Sequence, residues 1–433
     1  MNPFLVFALL AVDPPPVSEK PKPVAVTRNQ EKDFLENHKT ARPRLPMPPA
    51  GTGPLARVNN GRFRQYYLPA EFQFGGLGGR GDTDTELTLD NTFKVKLFWI
   101  TSRANNCYYC LGHQEHKLAS AGVTDDGIAA LDSDWAIFTP AEQAAFAFTK
   151  KLTYEPNKVN AKDIEDLKKH YTPNQILEMT IAVAGFNSMN RWTDGLNIPG
   201  EENGNFFRKE GGPDLSGFKT PTSAKYAEAV TAVAPIDQQT KSCEAPCVPA
   251  RPALESAEAV NQALEQAKTR KATLPVAKTL PANWDAKGKA PQWALLMATF
   301  TKSGKSRYDG VNAVAEKGSL SPKLKAAIAW SAARTDRAWY ALGVAKERLK
   351  ALGLTEEQIF GLDTDAAALE SADRQALALA KKLALSSATV SDADVEAVRK
   401  GGMTDKQVAE VVHHACTAAF FDRVTEAANL PLD

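Results

Sequence analysis

A chain of 433 residues with 43% hydrophobic and 24% charged residues is long enough for about two to three globular domains. Its net charge of +1 gives no global field, so charge argues neither for nucleic acid nor for an anionic membrane as partner. Five cysteines in this length do not make a disulfide scaffold.

The chain opens on an apolar run, Met1 to Val12, followed by Asp13 and three prolines. The run is shorter than the roughly 20 residues a bilayer crossing needs, and no other segment approaches that length, so no membrane span is expected. It has the length of a signal-peptide apolar core, with Ala11 as the small residue of a cleavage site. That pattern points to export, periplasmic or secreted; a disordered cytoplasmic tail is the alternative. Residues 13–55, rich in Pro, Lys, Glu and Arg, read as an extended segment with one helical turn near Gln30–His38. Residues 56–85 read as irregular. The cluster Gly76-Leu-Gly78-Gly-Arg-Gly81 has the form of a dinucleotide fingerprint, but no strand-helix-strand unit surrounds it, so it reads as a loop.

From Leu89 to Ile198 apolar residues recur at spacings of three and four: Phe93, Leu97, Ile100; Ala144, Phe148, Leu152; Ile176, Met179, Val183, Phe186. Thr124, Thr139 and Thr172 stand where they would cap the helices that follow, and Pro140 and Pro173 occupy first-turn positions. Residues 201–280 read as a partly ordered linker with one clear helix, Ala253–Lys271. Cys243 and Cys247 flank a proline there and are candidates for a small structural disulfide, or for two free thiols. Helical periodicity returns over 281–433.

This last region repeats the first. Advancing residues 89–169 by 231 positions brings roughly two dozen identities into register over about eighty positions. Trp99, Arg103, Tyr109, Gly112, Gly122, Thr124 and Asp132 meet Trp330, Arg334, Tyr340, Gly343, Gly353, Thr355 and Asp363. After one inserted residue Arg191 meets Arg423 and Pro199 meets Pro431. Residues shared by both copies are expected to hold the fold. Those that differ separate chemistry from scaffold.

The chemistry concentrates in Cys107-Tyr-Tyr-Cys110-Leu-Gly-His113-Gln114-Glu-His116-Lys117. Two thiols three residues apart can close into a disulfide, and nearby imidazoles can move protons. On a helix Cys110 lies beside Cys107, His113 and Gln114, whereas His116 points away from Cys110. Asn105-Asn106 reads as the break before this helix, so Cys107 is expected at its N-terminus. There, free N–H groups and the helix dipole should lower the thiol pKa. In the second copy Ala338, Ala341, Val344, Ala345 and Glu347 replace Cys107, Cys110, His113, Gln114 and His116, so that copy is expected to be redox-silent. A pair of inert buried thiols is the plain alternative. Zinc is disfavoured because four ligands on one short helix cannot converge tetrahedrally, so no metal or other cofactor is expected. A c-type haem would need histidine at position 111, which is leucine. Arg103 precedes Cys107 by one turn, but its mate Arg334 persists without cysteines. That favours a structural ion pair with Asp132, Asp134 or another carboxylate over thiolate support. Arg191 and Arg423 read the same way. His413, His414 and Cys416 cluster on the last helix and read as core fillers, with a separate minor site as the alternative.

An apolar helix, an Asn-rich break, Cys-x-x-Cys and a following histidine resemble the carboxymuconolactone decarboxylase and alkylhydroperoxidase D superfamily. The resemblance covers 89–199 and, as a degenerate copy, 320–431. It implies an all-α fold of two tandem helical domains, 56–200 and 281–433, with self-association. It also implies reduction of a peroxide or exchange of a disulfide substrate, with a thiol reductant. In the peroxidase branch the resemblance makes Cys110 the attacking thiol and Cys107 the resolving one, with a redox-active Cys107–Cys110 disulfide. The family's histidine position holds Gln114 here, so the histidine role passes to His113, with Gln114, His116 and Arg103 in support. The family's relay glutamate position holds Val95. The decarboxylase branch lacks the cysteine pair. A non-enzymatic helical assembly that has kept the scaffold is the competing reading.

Overall fold

The computed structural model describes residues 22–49, 59–72, 84–201, 218, 220–228, 253–284 and 290–433. Met1 to Val12, the glycine cluster and the Cys243/Cys247 pair lie outside the described residues. Within them the chain is all-helical, without strands. In order the helices are α1 (Arg28–His38), α2 (Asn60–Tyr67), α3 (Asn91–Ala104), α4 (Tyr108–Ser120), α5 (Asp125–Ser133) and α6 (Pro140–Tyr154). Next come α7 (Ala161–Lys168), α8 (Pro173–Gly195), α9 (Ala224–Ala227), α10 (Ala257–Ala267), α11 (Gln292–Met297) and α12 (Ser303–Glu316). The last are α13 (Pro322–Asp336), α14 (Trp339–Ala351), α15 (Glu356–Gly361), α16 (Ser371–Leu385), α17 (Asp392–Lys400) and α18 (Asp405–Ala427).

The expected caps set these boundaries. Thr124, Thr139 and Thr172 each accept a hydrogen bond from the third residue of α5, α6 and α8. At Thr139 and Thr172 that residue's side chain returns the bond, so orphan N–H groups are satisfied in both directions. Where one helical turn was expected near Gln30–His38, the chain forms a three-turn helix. Thr27 caps α1, and Arg28, Glu31, Leu35 and His38 are buried against the rest of the fold.

Hydrogen bonds repeat between the halves, made by shared residues to partners that differ. The Asn60 N–H donates to the Tyr109 hydroxyl at 3.2 Å, and the Trp293 N–H donates to the Tyr340 hydroxyl at 3.3 Å. Tyr109 donates to Glu201 at 2.5 Å, and Tyr340 donates to Asp433 at 2.6 Å. The Arg103 guanidinium meets the Ala25 carbonyl at 2.5 Å, and that of Arg334 meets the Glu255 carbonyl at 2.7 Å. The residues Asn197 and Asn429 both adopt left-handed backbone after α8 and α18, with φ of 49° and 47°. Their side chains donate to the carbonyls of Arg42 and Lys271. The repeat therefore extends backward to pair α1 with α10.

The two halves share their interior. The most extensive helix contact joins α8 to α18. One apolar cluster unites Cys107, Cys110, Trp192 and Leu196 with Trp330, Leu383 and Val412. A second unites Trp99, Leu152 and Met179 with Phe420, Val424 and Leu430. Arginines tie the halves reciprocally. Arg191 donates to the Leu383 carbonyl at 3.1 Å and the Ala384 carbonyl at 3.4 Å, while Arg423 donates to the Thr153 carbonyl at 2.9 Å. No described helix is long and apolar enough to cross a membrane.

Candidate functional site: the thiol pair on α4

The break before α4 is made by Asn106, whose left-handed φ of 55° is a conformation asparagine tolerates better than most residues. Its side chain donates to the Pro23 carbonyl at 2.9 Å. The turn delivers Cys107 as the N-cap of α4, with its sulfur accepting the Cys110 N–H at 3.4 Å. Cys110 follows one turn later on the same face. Both are free thiols, and their sulfurs each lie 3.1 Å from the hydroxyl of Thr193 on α8. That hydroxyl also donates back along its helix to the Met189 carbonyl at 3.1 Å.

The pair is enclosed. Cys107 is 0% and Cys110 2% exposed. The cover comes from α2 and from residues 22–27. Asn60 of α2 joins Tyr109, Trp192 and Met189. Lys22 forms an ion pair with Asp194 at 2.5 Å, and Tyr108 donates to the Pro23 carbonyl. Ser387 of the second half reaches the other oxygen of Asp194 at 3.1 Å.

This enclosure corrects one expectation. Cys107 does sit at a helix N-terminus, but burial pushes its pKa well above the ordinary thiol value. The hydrogen bond to Cys110 and the Asp194 charge act in the same direction, and Lys22 opposes them. Desolvation outweighs the helix end, and Cys107 is a neutral thiol at pH 7.

The other predicted residues are distributed around α4. The His113 Nδ1 pairs with the Tyr109 carbonyl at 2.9 Å, and its Nε2 lies 3.8 Å from Glu201. Gln114 donates to the Cys110 carbonyl at 2.9 Å, so it steadies the backbone of the cysteine rather than its sulfur. The His116 ring stacks on Phe218 at 4.7 Å, and burial lowers its pKa to about 4. Arg103 pairs with Asp132 at 3.2 Å, whereas Asp134 pairs with Lys225. Arg334 pairs with Asp363 at 2.9 Å, the same bond in the other half. The two later arginines divide: Arg423 forms an ion pair with Asp336 at 2.7 Å, and Arg191 bonds Asn187 and the carbonyls across the interface.

His413 stacks on Phe72 at 5.5 Å and meets Trp192 edge-on at 6.0 Å, and His414 meets Phe72 edge-on at 6.0 Å. Burial holds both imidazoles neutral. Among the described residues no group of three or more His, Cys, Asp or Glu is placed to hold a metal ion.

Sequence reasoning missed Thr193, Asp194, Lys22 and Asn60. Thr193 carried one signal: it meets Thr425 in the repeat, which marks it as scaffold and conceals its contact with sulfur. A scan against protein-family models and a search of curated proteins both return no match to this chain.

Proposed function

We propose that the chain is a thiol-dependent oxidoreductase acting on a hydroperoxide or a disulfide through Cys107 and Cys110. One observation carries this reading: two free thiols, three residues apart at one helix N-terminus, share a single hydroxyl partner. The resemblance to the alkylhydroperoxidase D branch supports it and orders the steps. The Cys110 thiolate attacks the O–O bond; an S–O bond forms and the alkoxide leaves as alcohol, carrying the proton lost by Cys110. The Cys107 sulfur then attacks the sulfenic sulfur; an S–S bond forms and hydroxide leaves as water with the Cys107 proton. A thiol reductant returns two electrons and two protons. The raised pKa of Cys107 suits the second role, because a protonated thiol does not compete for the peroxide. His113, half-buried beside Glu201, is the proposed proton carrier. Self-association and export belong to the same proposal.

Reduced protein is treated with a hydroperoxide and its thiols are mapped by mass spectrometry. A Cys107–Cys110 disulfide should form, and turnover with a thiol reductant should vanish in Cys110→Ser. No disulfide, or turnover that survives Cys110→Ser, refutes the reading. The burial of both sulfurs favours a second reading, a helical scaffold without catalysis. It expects the pair to remain reduced throughout that exposure.

A further inference from the structure

We propose that Thr193 sets the redox poise of the pair, because its hydroxyl accepts from both thiols in the reduced protein and loses both donors when the disulfide forms. The inference rests on the thiol-redox reading and names a positioning residue for it. A threonine hydroxyl carries one proton and two lone pairs. The proton is committed along the helix, to the Met189 carbonyl at 3.1 Å with the Asn190 carbonyl at 3.3 Å. Cys107 Sγ and Cys110 Sγ lie 3.1 Å from the same oxygen, and with the hydroxyl proton so committed each sulfur can bond that oxygen by donating its S–H to a lone pair. Both sulfurs and the hydroxyl are buried, with Thr193 1% exposed, so bulk water does not replace a lost partner among them.

Closing the disulfide removes both S–H protons with two electrons, which pass to the peroxide or disulfide substrate. Two sulfurs that were donors become weak acceptors, and the hydroxyl already has its proton elsewhere. The reduced state is therefore favoured over the oxidised one by the two lost bonds. A pair poised this way is a stronger oxidant than the same Cys-x-x-Cys without the hydroxyl.

The second half supplies an internal control. Thr425 meets Thr193 in the repeat and makes the same bonds along its helix, to the Phe421 carbonyl at 2.8 Å and the Asp422 carbonyl at 3.3 Å. The register puts Ala338 and Ala341 where the cysteines stand. The helix bond is thus common scaffold, and the two sulfur contacts are additional.

The test equilibrates the full chain in dithiothreitol redox buffers and counts free thiols at Cys107 and Cys110 by alkylation and mass spectrometry. Thr193→Val should move the equilibrium about tenfold toward disulfide, equivalent to about 30 mV more negative for two electrons. Thr193→Ser keeps the hydroxyl and should match wild type. Thr425→Val, which loses the same helix bond, should leave the potential unchanged. Where the valine variant does not fold, Thr193→Ala reads the same quantity. A wild type that forms the disulfide with Thr193→Val or Thr193→Ala within about twofold of it overturns this inference alone. So does a Thr425→Val shift of equal size. A wild type that forms no disulfide in any buffer overturns the thiol-redox reading and this inference with it.

Discussion

Replacing Arg423 by methionine keeps most of the side-chain stem and deletes its charge. Arg423 and Asp336 are 0% and 1% exposed and lie 2.7 Å apart. The same guanidinium donates to the Ala419 carbonyl at 3.1 Å and crosses to the Thr153 carbonyl at 2.9 Å. The Asp422 carboxyl stands nearby, pushed well above its usual range first by burial and then by the Asp336 charge. Without the arginine, the buried Asp336 loses its 2.7 Å ion-pair partner beside a second acid. Breaking one partner out of such a buried pair costs about 3–5 kcal/mol. Removing the charge of both partners, as Arg423→Met with Asp336→Asn, should recover most of that, leaving about 1–2 kcal/mol for the N–H donors lost to the two carbonyls. Urea unfolding followed by far-ultraviolet circular dichroism gives the free energies, and an unchanged m-value keeps them comparable. A single variant that costs less than about 1 kcal/mol, or a double variant no more stable than the single, refutes the reasoning.

The buried histidines give the protein an acid limit. Burial holds His38 and His414 at about 3 and His116 at about 4, all below the unfolded imidazole value. Each contributes stability above about pH 6.5 and loses it as pH falls toward the folded value. The urea midpoint should therefore drop between pH 7 and pH 5, with a shallower drop in His414→Gln; an equal slope in that variant contradicts the assignment. Burial also lifts Cys416 to about 12, so iodoacetamide at pH 8 should spare it in native protein and modify it in urea. Equal rates in both conditions would count against its placement. Gly122 and Gly353 have φ of +88° and +86° with open space where a Cβ would sit. Alanine at either should cost about 1 kcal/mol from backbone strain alone, and no loss of stability would show the turn to be relaxed.

Much of the architecture was legible in sequence because capping and apolar spacing are local. Thr124, Thr139 and Thr172 start the helices they were expected to start. The pairing of α1 with α10 escaped notice because it runs at a different register, 229 rather than 231. Its signal was present: Leu35-Glu36, Lys39-Thr40 and Leu45-Pro46 recur as Leu264-Glu265, Lys268-Thr269 and Leu274-Pro275. The location of Cys107 at a helix start was readable from Asn105-Asn106, but its protonation was not. A helix end acts through the next few residues, whereas desolvation depends on α2 and residues 22–27, which fold over the site from a distance in sequence. The hydroxyl that both thiols meet was illegible for a related reason. A threonine on a helix is ordinary, and only tertiary packing of α8 against α4 gives it two sulfurs.

The reciprocal arginine bonds across α8 and α18 have a consequence for how this protein can vary. Two identical subunits meeting about a twofold axis must accept every substitution on both sides of the contact at once. Here each side is written separately in one chain. Arg191 is held by Asn187 on its own helix, while Arg423 has an acid, Asp336, in the same half. One side can therefore lose cysteines and histidines without the other losing them, and association across the contact does not depend on protein concentration. The half without the thiol pair is thus free to change separately from the half that carries it.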